Sequence, residues 1–158
     1  MKFNSALKNF VLVLFSTLLI SACSTAKKAS VDTVDDVYTG TDTVEYLANG
    51  VPDRVFFATN KSSLTTRSRD TLRKQATYLR KNKNVTITVE GHADERGTRE
   101  YNLALGEKRA QAVKNYLIGL GINPDRVSTI SYGKERPAVV GSNDGAWAQN
   151  RRSVTIVN

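Results

Sequence analysis

The sequence predicts an α+β fold in two layers, a mixed sheet with its helices gathered on one face, and three observations carry that prediction. Between residues 51 and 158 the apolar period switches repeatedly between strand and helix type, in the order β-α-β-α-β-(short α)-β. The strand segments alternate apolar with polar residues, as strands with one face on a core and the other toward water do. Parallel strands covered on both faces read instead as unbroken apolar runs. No internal repeat is visible, and 158 residues support one compact domain with appendages.

Each element has its own signal. Arg54-Val55-Phe56-Phe57 is a short apolar strand. Leu64, Leu72, Ala76 and Leu79 recur at helical spacing, predicting a helix over 66–81 with Thr65 or Thr66 as N-cap and basic residues in its last turn. Val85 to Glu90 alternates with β-branched residues throughout. Leu103, Ala110, Val113, Leu117 and Leu120 share a face of a second helix over about 101–120, and Gly121 stops it ahead of Asn123-Pro124. Val127 to Tyr132 alternates again, Gly133 to Pro137 turns, Asp144 to Gln149 forms one helical turn, and Ser153 to Val157 is the last strand.

The first 50 residues have a different character. Lys2 and Lys8 precede an apolar run from Phe10 to Ile20, about half the ~20 residues a membrane-spanning helix needs, so 1–22 reads as a removable export signal. Ile20-Ser21-Ala22-Cys23 then sets two small residues before the single cysteine of the chain. This resembles a bacterial lipobox, in which the Cys23 thiol takes a diacylglycerol and the new amino terminus is acylated; the alternative is an ordinary cleavage site. Several acyl chains anchor stably where one does not. Ser24, in place of an aspartate, points by analogy to the outer membrane. Residues 24–50 show no sustained period and few large apolar groups, so 23–50 is expected to be a lipidated cysteine followed by a flexible tether.

Charge distribution and composition narrow the function. The net +8 divides into +2 for the signal, −3 for the tether and +9 for the domain. A basic domain delivered outside the cytoplasm meets little nucleic acid, and its arginine-rich loops lack interleaved aromatic groups, so nucleic acid is not the expected partner. With one His, His92, multi-imidazole zinc chemistry is excluded, and a Ser-His-Asp set has only that imidazole to build on. A carboxylate pair from Asp94 with Glu95 or Glu90 is the remaining route to a hydrolase. The leading expectation is a non-catalytic binder with no metal and no cofactor beyond the lipid.

The segment Gly91-His92-Ala93-Asp94-Glu95-Arg96-Gly97-Thr98 lies between a strand and a helix, followed by Tyr101-Asn102-Leu103 and Gly106-Glu107-Lys108-Arg109-Ala110. Together with Ser131 to Pro137 and Asn150-Arg151-Arg152 it resembles the peptidoglycan-binding domain of the OmpA family, over about residues 51–158. Within that family it is most similar to the lipoprotein branch of the Tol-Pal system. The resemblance implies an outer-membrane lipoprotein whose domain faces the periplasm and binds the meso-diaminopimelate group of peptidoglycan, with TolB and other Tol proteins as partners, in envelope integrity and constriction at division.

A diaminopimelate end carries an ammonium and a carboxylate on one carbon, so a selective site needs one fixed anion and one fixed cation. By resemblance Asp94 takes the ammonium and Arg109 grips the carboxylate through its fork. Asn102 shares the face of Arg109. Arg109→Glu is expected to abolish wall binding with the fold intact. The first-strand loop departs from the family: a Phe-Asp-Phe-Asp sequence is common there, and this chain reads Phe57-Ala58-Thr59-Asn60. Thr59 and Asn60 retain the contact if it uses backbone amides; if it uses a carboxylate, Asn60 keeps a neutral acceptor. Structural readings stand beside these: Asp94 as a helix cap, Arg109 in a surface pair with Glu107 or Glu100, and His92 as a packed residue. Arg96 and Arg99 are solvated charges or rim contacts, one of Arg151 and Arg152 pairs with an internal acid while the other faces solvent, and Trp147 is a core or lid anchor.

Overall fold

A computed structural model describes residues 46–158, which all belong to one compact unit. The expected signal over 1–22, the lipidated Cys23 and most of the 23–50 tether lie outside the described residues.

Order begins earlier than the composition suggested. β1 (Tyr46–Ala48) pairs antiparallel with β2 (Val51–Pro52) around Gly50, whose φ of +74° suits a tight turn. The last residues of the expected tether are therefore a strand. Tyr46 and Leu47 are few, but Gln75 reaches this hairpin by donating from Nε2 to the Pro52 carbonyl at 2.8 Å. The following strand is β3 (Arg54–Phe56).

α1 (Thr66–Lys81) has Thr65 as its N-cap, accepting from the Ser68 N–H. β4 (Ile87–His92) leads into α2 (Arg99–Gly119), capped by the Thr98 hydroxyl and closed by Gly121 at φ +88°. A short 3-10 turn (Pro124–Arg126) enters β5 (Val127–Gly133), and α3 (Asp144–Asn150) precedes β6 (Arg152–Val157). The sheet order is β3-β6-β4-β5, with β4 and β5 parallel and the other pairs antiparallel, so the sheet is mixed. α2 is the crossover that a parallel pair requires.

The strand alternation sorts the two faces. Val55, Ile87, Val89 and Val127 join Leu72, Ala76 and Leu79 of α1 and Ala110, Val113 and Leu117 of α2 in one buried cluster. On the other face Ile130 and Ile156 remain exposed.

The inner face of α2 differs from its apolar pattern. Leu103 is exposed, and the buried positions are Asn102, Leu105, Gly106, Arg109, Ala110, Val113 and Leu117. Two polar residues on the core side interrupt the apolar period there. Close approach explains how α2 is seated. A Cβ on Gly91 of β4 would lie 1.8 Å from the Gly106 carbonyl oxygen, and one on Gly106 would lie 2.3 Å from Ser131 Oγ. Backbone meets backbone, which brings Asn102 and Arg109 over the C-terminal end of β4.

Candidate functional site

At that end of β4 the chain leaves the sheet as Ala93 to Thr98 and turns back along α2. Several side chains hold this loop. Asn102, buried, donates from Nδ2 to the Arg96 carbonyl at 2.9 Å. Lys134 donates from Nζ to the carbonyls of Glu95 and Gly97 at 3.1 and 2.7 Å. Trp147 donates from Nε1 to Glu95 Oε1 at 3.0 Å. Hydrogen bonds from Ser142 and Trp147 hold the Glu95 carboxyl below its ordinary range.

Arg109 sits at the centre, with no exposed surface. Its Nε donates to the Lys61 carbonyl at 2.9 Å, Nη1 to His92 at 2.7 Å and Nη2 to Ala58 at 3.2 Å, and the guanidinium lies 5.3 Å from the Phe57 ring centre. Three of its five N–H groups thus tie the 58–61 turn to the end of β4, leaving one on each of Nη1 and Nη2. Burial lowers its pKa to about 10 against the favourable charge of Asp94, so the group stays cationic at neutral pH. A surface pair with Glu107 or Glu100 is not what the structure contains. Arg109→Glu would break a buried framework, so that variant is not expected to keep the fold.

Asp94, two residues beyond the His92 carbonyl that Arg109 holds, is buried and does not cap α2; Thr98 does. Its Oδ2 accepts from Arg96 Nη2 at 2.7 Å and its Oδ1 from Arg96 Nε at 3.2 Å and from the Arg96 amide at 3.1 Å. Arg151 Nη1 lies 3.5 Å from Oδ2. Burial acts to raise the Asp94 carboxyl, but the hydrogen bonds and charge of Arg96, with Arg151 behind, outweigh it and hold the carboxyl below its ordinary value. Arg151 is the arginine paired with an internal acid, and it also donates from Nε to the Phe57 carbonyl at 3.1 Å. The other of the two was expected to face solvent, but Arg152 is also buried, because β6 is an inner strand of the sheet.

The remaining candidates fall around this pair. Thr59 Oγ1 accepts from Arg96 Nη2 at 3.5 Å, and Asn60 holds φ +56° in a turn closed by the Lys61 N–H donating to the Ala58 carbonyl at 3.1 Å. Asn tolerates that left-handed conformation better than most residues. Arg96 is half-exposed but not free: besides pairing with Asp94, its guanidinium stacks 4.2 Å from the Trp147 ring centre, which makes Trp147 a lid over the loop. Arg99 lies 3.4 Å from Glu135 at the surface. His92 is buried, 3.3 Å from Glu90 and beside the Tyr132 ring at 5.7 Å. Burial first, then the charges of Arg152, Arg136 and Arg54, lowers its pKa to about 3, so the ring is neutral.

Of the residues the sequence singled out, Asp94, Arg109 and Asn102 come to one end of β4, and Trp147 takes the lid position of its two expected roles, whereas the Arg96 guanidinium on Asp94 and the Lys134 bonds to the loop were not foreseen. The i, i+2 spacing of Asp94 and Arg96 was the available signal.

Comparison with known proteins bears on this arrangement. Residues 56–151, more than half of the chain, match the OmpA family. A peptidoglycan-associated lipoprotein of Brucella melitensis is 42% identical over 153 residues, spanning 93% of this chain and 90% of that protein. A peptidoglycan-associated lipoprotein of Rhizobium meliloti is 52% identical over 107 residues, 68% of this chain and 61% of its own length. Among solved structures, the peptidoglycan-associated lipoprotein of Burkholderia pseudomallei superposes with a TM-score of 0.66 at 39% identity, over 67% of this chain and 90% of that one. The C-terminal domain of Helicobacter pylori MotB shares the fold, with a TM-score of 0.63 at 24% identity, over 67% of this chain and 84% of that one.

Proposed function

The chain belongs to the OmpA family and, within it, to the peptidoglycan-associated lipoproteins, and we propose that it binds the diaminopimelate group of peptidoglycan non-covalently through Asp94 and Arg109. The supporting observation is that the buried Arg109 guanidinium holds the His92 carbonyl at 2.7 Å, two residues before the buried Asp94 carboxylate, whose negative charge favours the cation. The ligand ammonium replaces the Arg96 guanidinium at Asp94, and the ligand carboxylate takes the two N–H groups that Arg109 does not spend on backbone carbonyls. Movement of Arg96, a half-exposed side chain, off Trp147 opens the way. Asn102 acts by fixing the loop, while Thr59 and Asn60 supply the opposite wall through their turn.

The wider reading follows the same line. Residues 1–22 are removed, Cys23 carries the lipid in the outer membrane, the tether runs from there to the β1–β2 hairpin, and the binding domain, hairpin included, lies in the periplasm. Individually weak sites suffice for holding a membrane to a wall, because many tethers confined between two surfaces act at high effective concentration. TolB and the Tol proteins are the proposed partners, coupling the tether to envelope constriction at division. The domain binds without chemistry: its one imidazole is buried and neutral, and zymography on sacculi is expected to show no clearing.

Co-sedimentation with purified sacculi tests the site. The wild type is expected to pellet with diaminopimelate-type sacculi and Asp94→Asn to stay in solution with unchanged circular dichroism. Wild-type retention of Asp94→Asn refutes the assignment. Lysine-type sacculi, lacking the side-group carboxylate, are expected to bind much more weakly; equal binding removes Arg109 from the ligand.

A further inference from the structure

We propose that the outward face of α1 is a docking surface for an anionic phospholipid bilayer; that this is the bilayer holding the anchor rests on the lipidated Cys23 proposed above. The inner side of α1 is formed by Ser68, Leu72, Gln75, Ala76 and Leu79. Its exposed side carries Arg67, Arg69, Arg73, Lys74, Arg80 and Lys81, with Asp70 as the only acid in the helix. At ~100° per residue these cations fill one continuous arc opposite the buried one. Asp70 is taken up by Arg73, and Arg80 donates to the Leu120 carbonyl and to Thr77. The side chains of Arg67, Lys74 and Lys81, within about 40° of one another around the helix axis, make no hydrogen bond or ion pair among the described residues, and neither does that of Arg69 at the far edge of the arc, so three charges on one helix face and a fourth at its border are left for an external partner.

Position selects the partner. The β1–β2 hairpin lies against this helix, and Ala48, Gly50, Val51, Lys74, Tyr78 and Lys81 line the shallow groove between them. The chain toward Cys23 therefore leaves the domain beside the basic face. From Cys23 to Tyr46 it spans at most ~80 Å even fully extended, so an anchored domain stays within reach of the bilayer. The C-terminal end of α1 also adjoins the start of β4: Val85 N–H donates to the Asn82 carbonyl at 3.2 Å, and Arg126 donates to the carbonyls of Leu79, Asn82 and Val85. Asp94 follows the opposite end of β4. The wall site and the basic end of the helix thus lie about one strand length, ~20 Å, apart. Such a domain can face the wall at one end and the bilayer at the other.

Vesicle co-sedimentation provides the test. The chain from residue 23 with Cys23→Ser keeps every buried core residue and cannot be acylated, so any membrane binding comes from the protein surface. It is expected to bind vesicles with 30% phosphatidylglycerol, not pure phosphatidylcholine vesicles, and to release in high salt. Replacing Arg67, Arg69, Lys74 and Lys81 by Gln is expected to weaken anionic-vesicle binding at least ~50-fold at low salt, each basic group near such a surface contributing about fivefold. Sacculus binding should not change. Equal binding of the Gln variant and its parent to anionic vesicles, or no binding of the parent, overturns the proposal. Loss of sacculus binding with vesicle binding intact also overturns it and assigns the face to the wall. Mass spectrometry of the native protein reads the acyl groups on Cys23 separately, so failure of the anchor is distinguishable from failure of the basic face.

Discussion

Arg109→Met separates the framework role of this residue from its role toward a ligand. The substitution keeps an unbranched side chain on α2 but leaves the carbonyls of Lys61, His92 and Ala58 without their donor. Hydrogen bonds from a charged group contribute about 1.5–3 kcal/mol each, so three amount to roughly 4–9 kcal/mol before compensation. Removing the buried charge itself returns part of this, which leaves a net loss of about 3–5 kcal/mol. That is a large fraction of the ~5–15 kcal/mol stability of a domain this size. Thermal unfolding followed by circular dichroism should show a melting temperature lower by about 10–20 °C, with urea midpoints falling in proportion. Arg109→Lys, which retains the charge and regains at most part of the carbonyl bonding, should fall between the two. A melting temperature for Arg109→Met within about 3 °C of the wild type would refute the assignment of this side chain as the tie between turn, strand and helix.

Two further perturbations follow from the geometry. Gly91→Ala places a Cβ 1.8 Å from the Gly106 backbone oxygen, where no side chain can yield, so a loss of at least ~3 kcal/mol is expected in urea titration, and wild-type stability would contradict the close packing of α2 on β4. For pH, His92 has a folded-state pKa of about 3 against an ordinary 6.5. The unfolded chain therefore holds a proton that the folded one lacks between those values. The contribution is complete above pH 6.5 and is lost as pH falls toward 3, with a slope approaching ~1.4 kcal/mol per pH unit. Asp94, with its pKa depressed, loses its contribution in the same direction only at lower pH. Urea midpoints at pH 7, 5 and 4 should fall more steeply for the wild type than for His92→Gln; parallel slopes would remove His92 from the pH response.

The elements that could be read from the sequence were those whose signals are local. Thr65 and Gly121 mark helix ends by capping chemistry, and Val127 to Tyr132 shows its buried side by alternation. The inner face of α2 was misplaced at Leu103 because Asn102 and Arg109 stand on the core side, where a hydrophobic period gives no weight to polar residues. The expectation that one of Arg151 and Arg152 faces solvent failed because burial of β6 follows from sheet order, which the sequence does not encode locally. The β1–β2 hairpin escaped because its stability depends on Gln75 and the helix beneath it. At the site, residue types and their order were legible by family resemblance, and their geometry was not. The Arg96 guanidinium on Asp94 and the three carbonyls around Arg109 depend on a loop folding back along a helix.

A crystal structure of the domain with meso-diaminopimelate bound tests the central claim most directly. The ligand ammonium is expected on the Asp94 carboxylate, with Arg96 turned away from it, and the adjoining carboxylate on Nη1 and Nη2 of Arg109 with the bonds to Lys61, His92 and Ala58 retained. A ligand seated elsewhere, with the Asp94–Arg96 pair still closed, would contradict it.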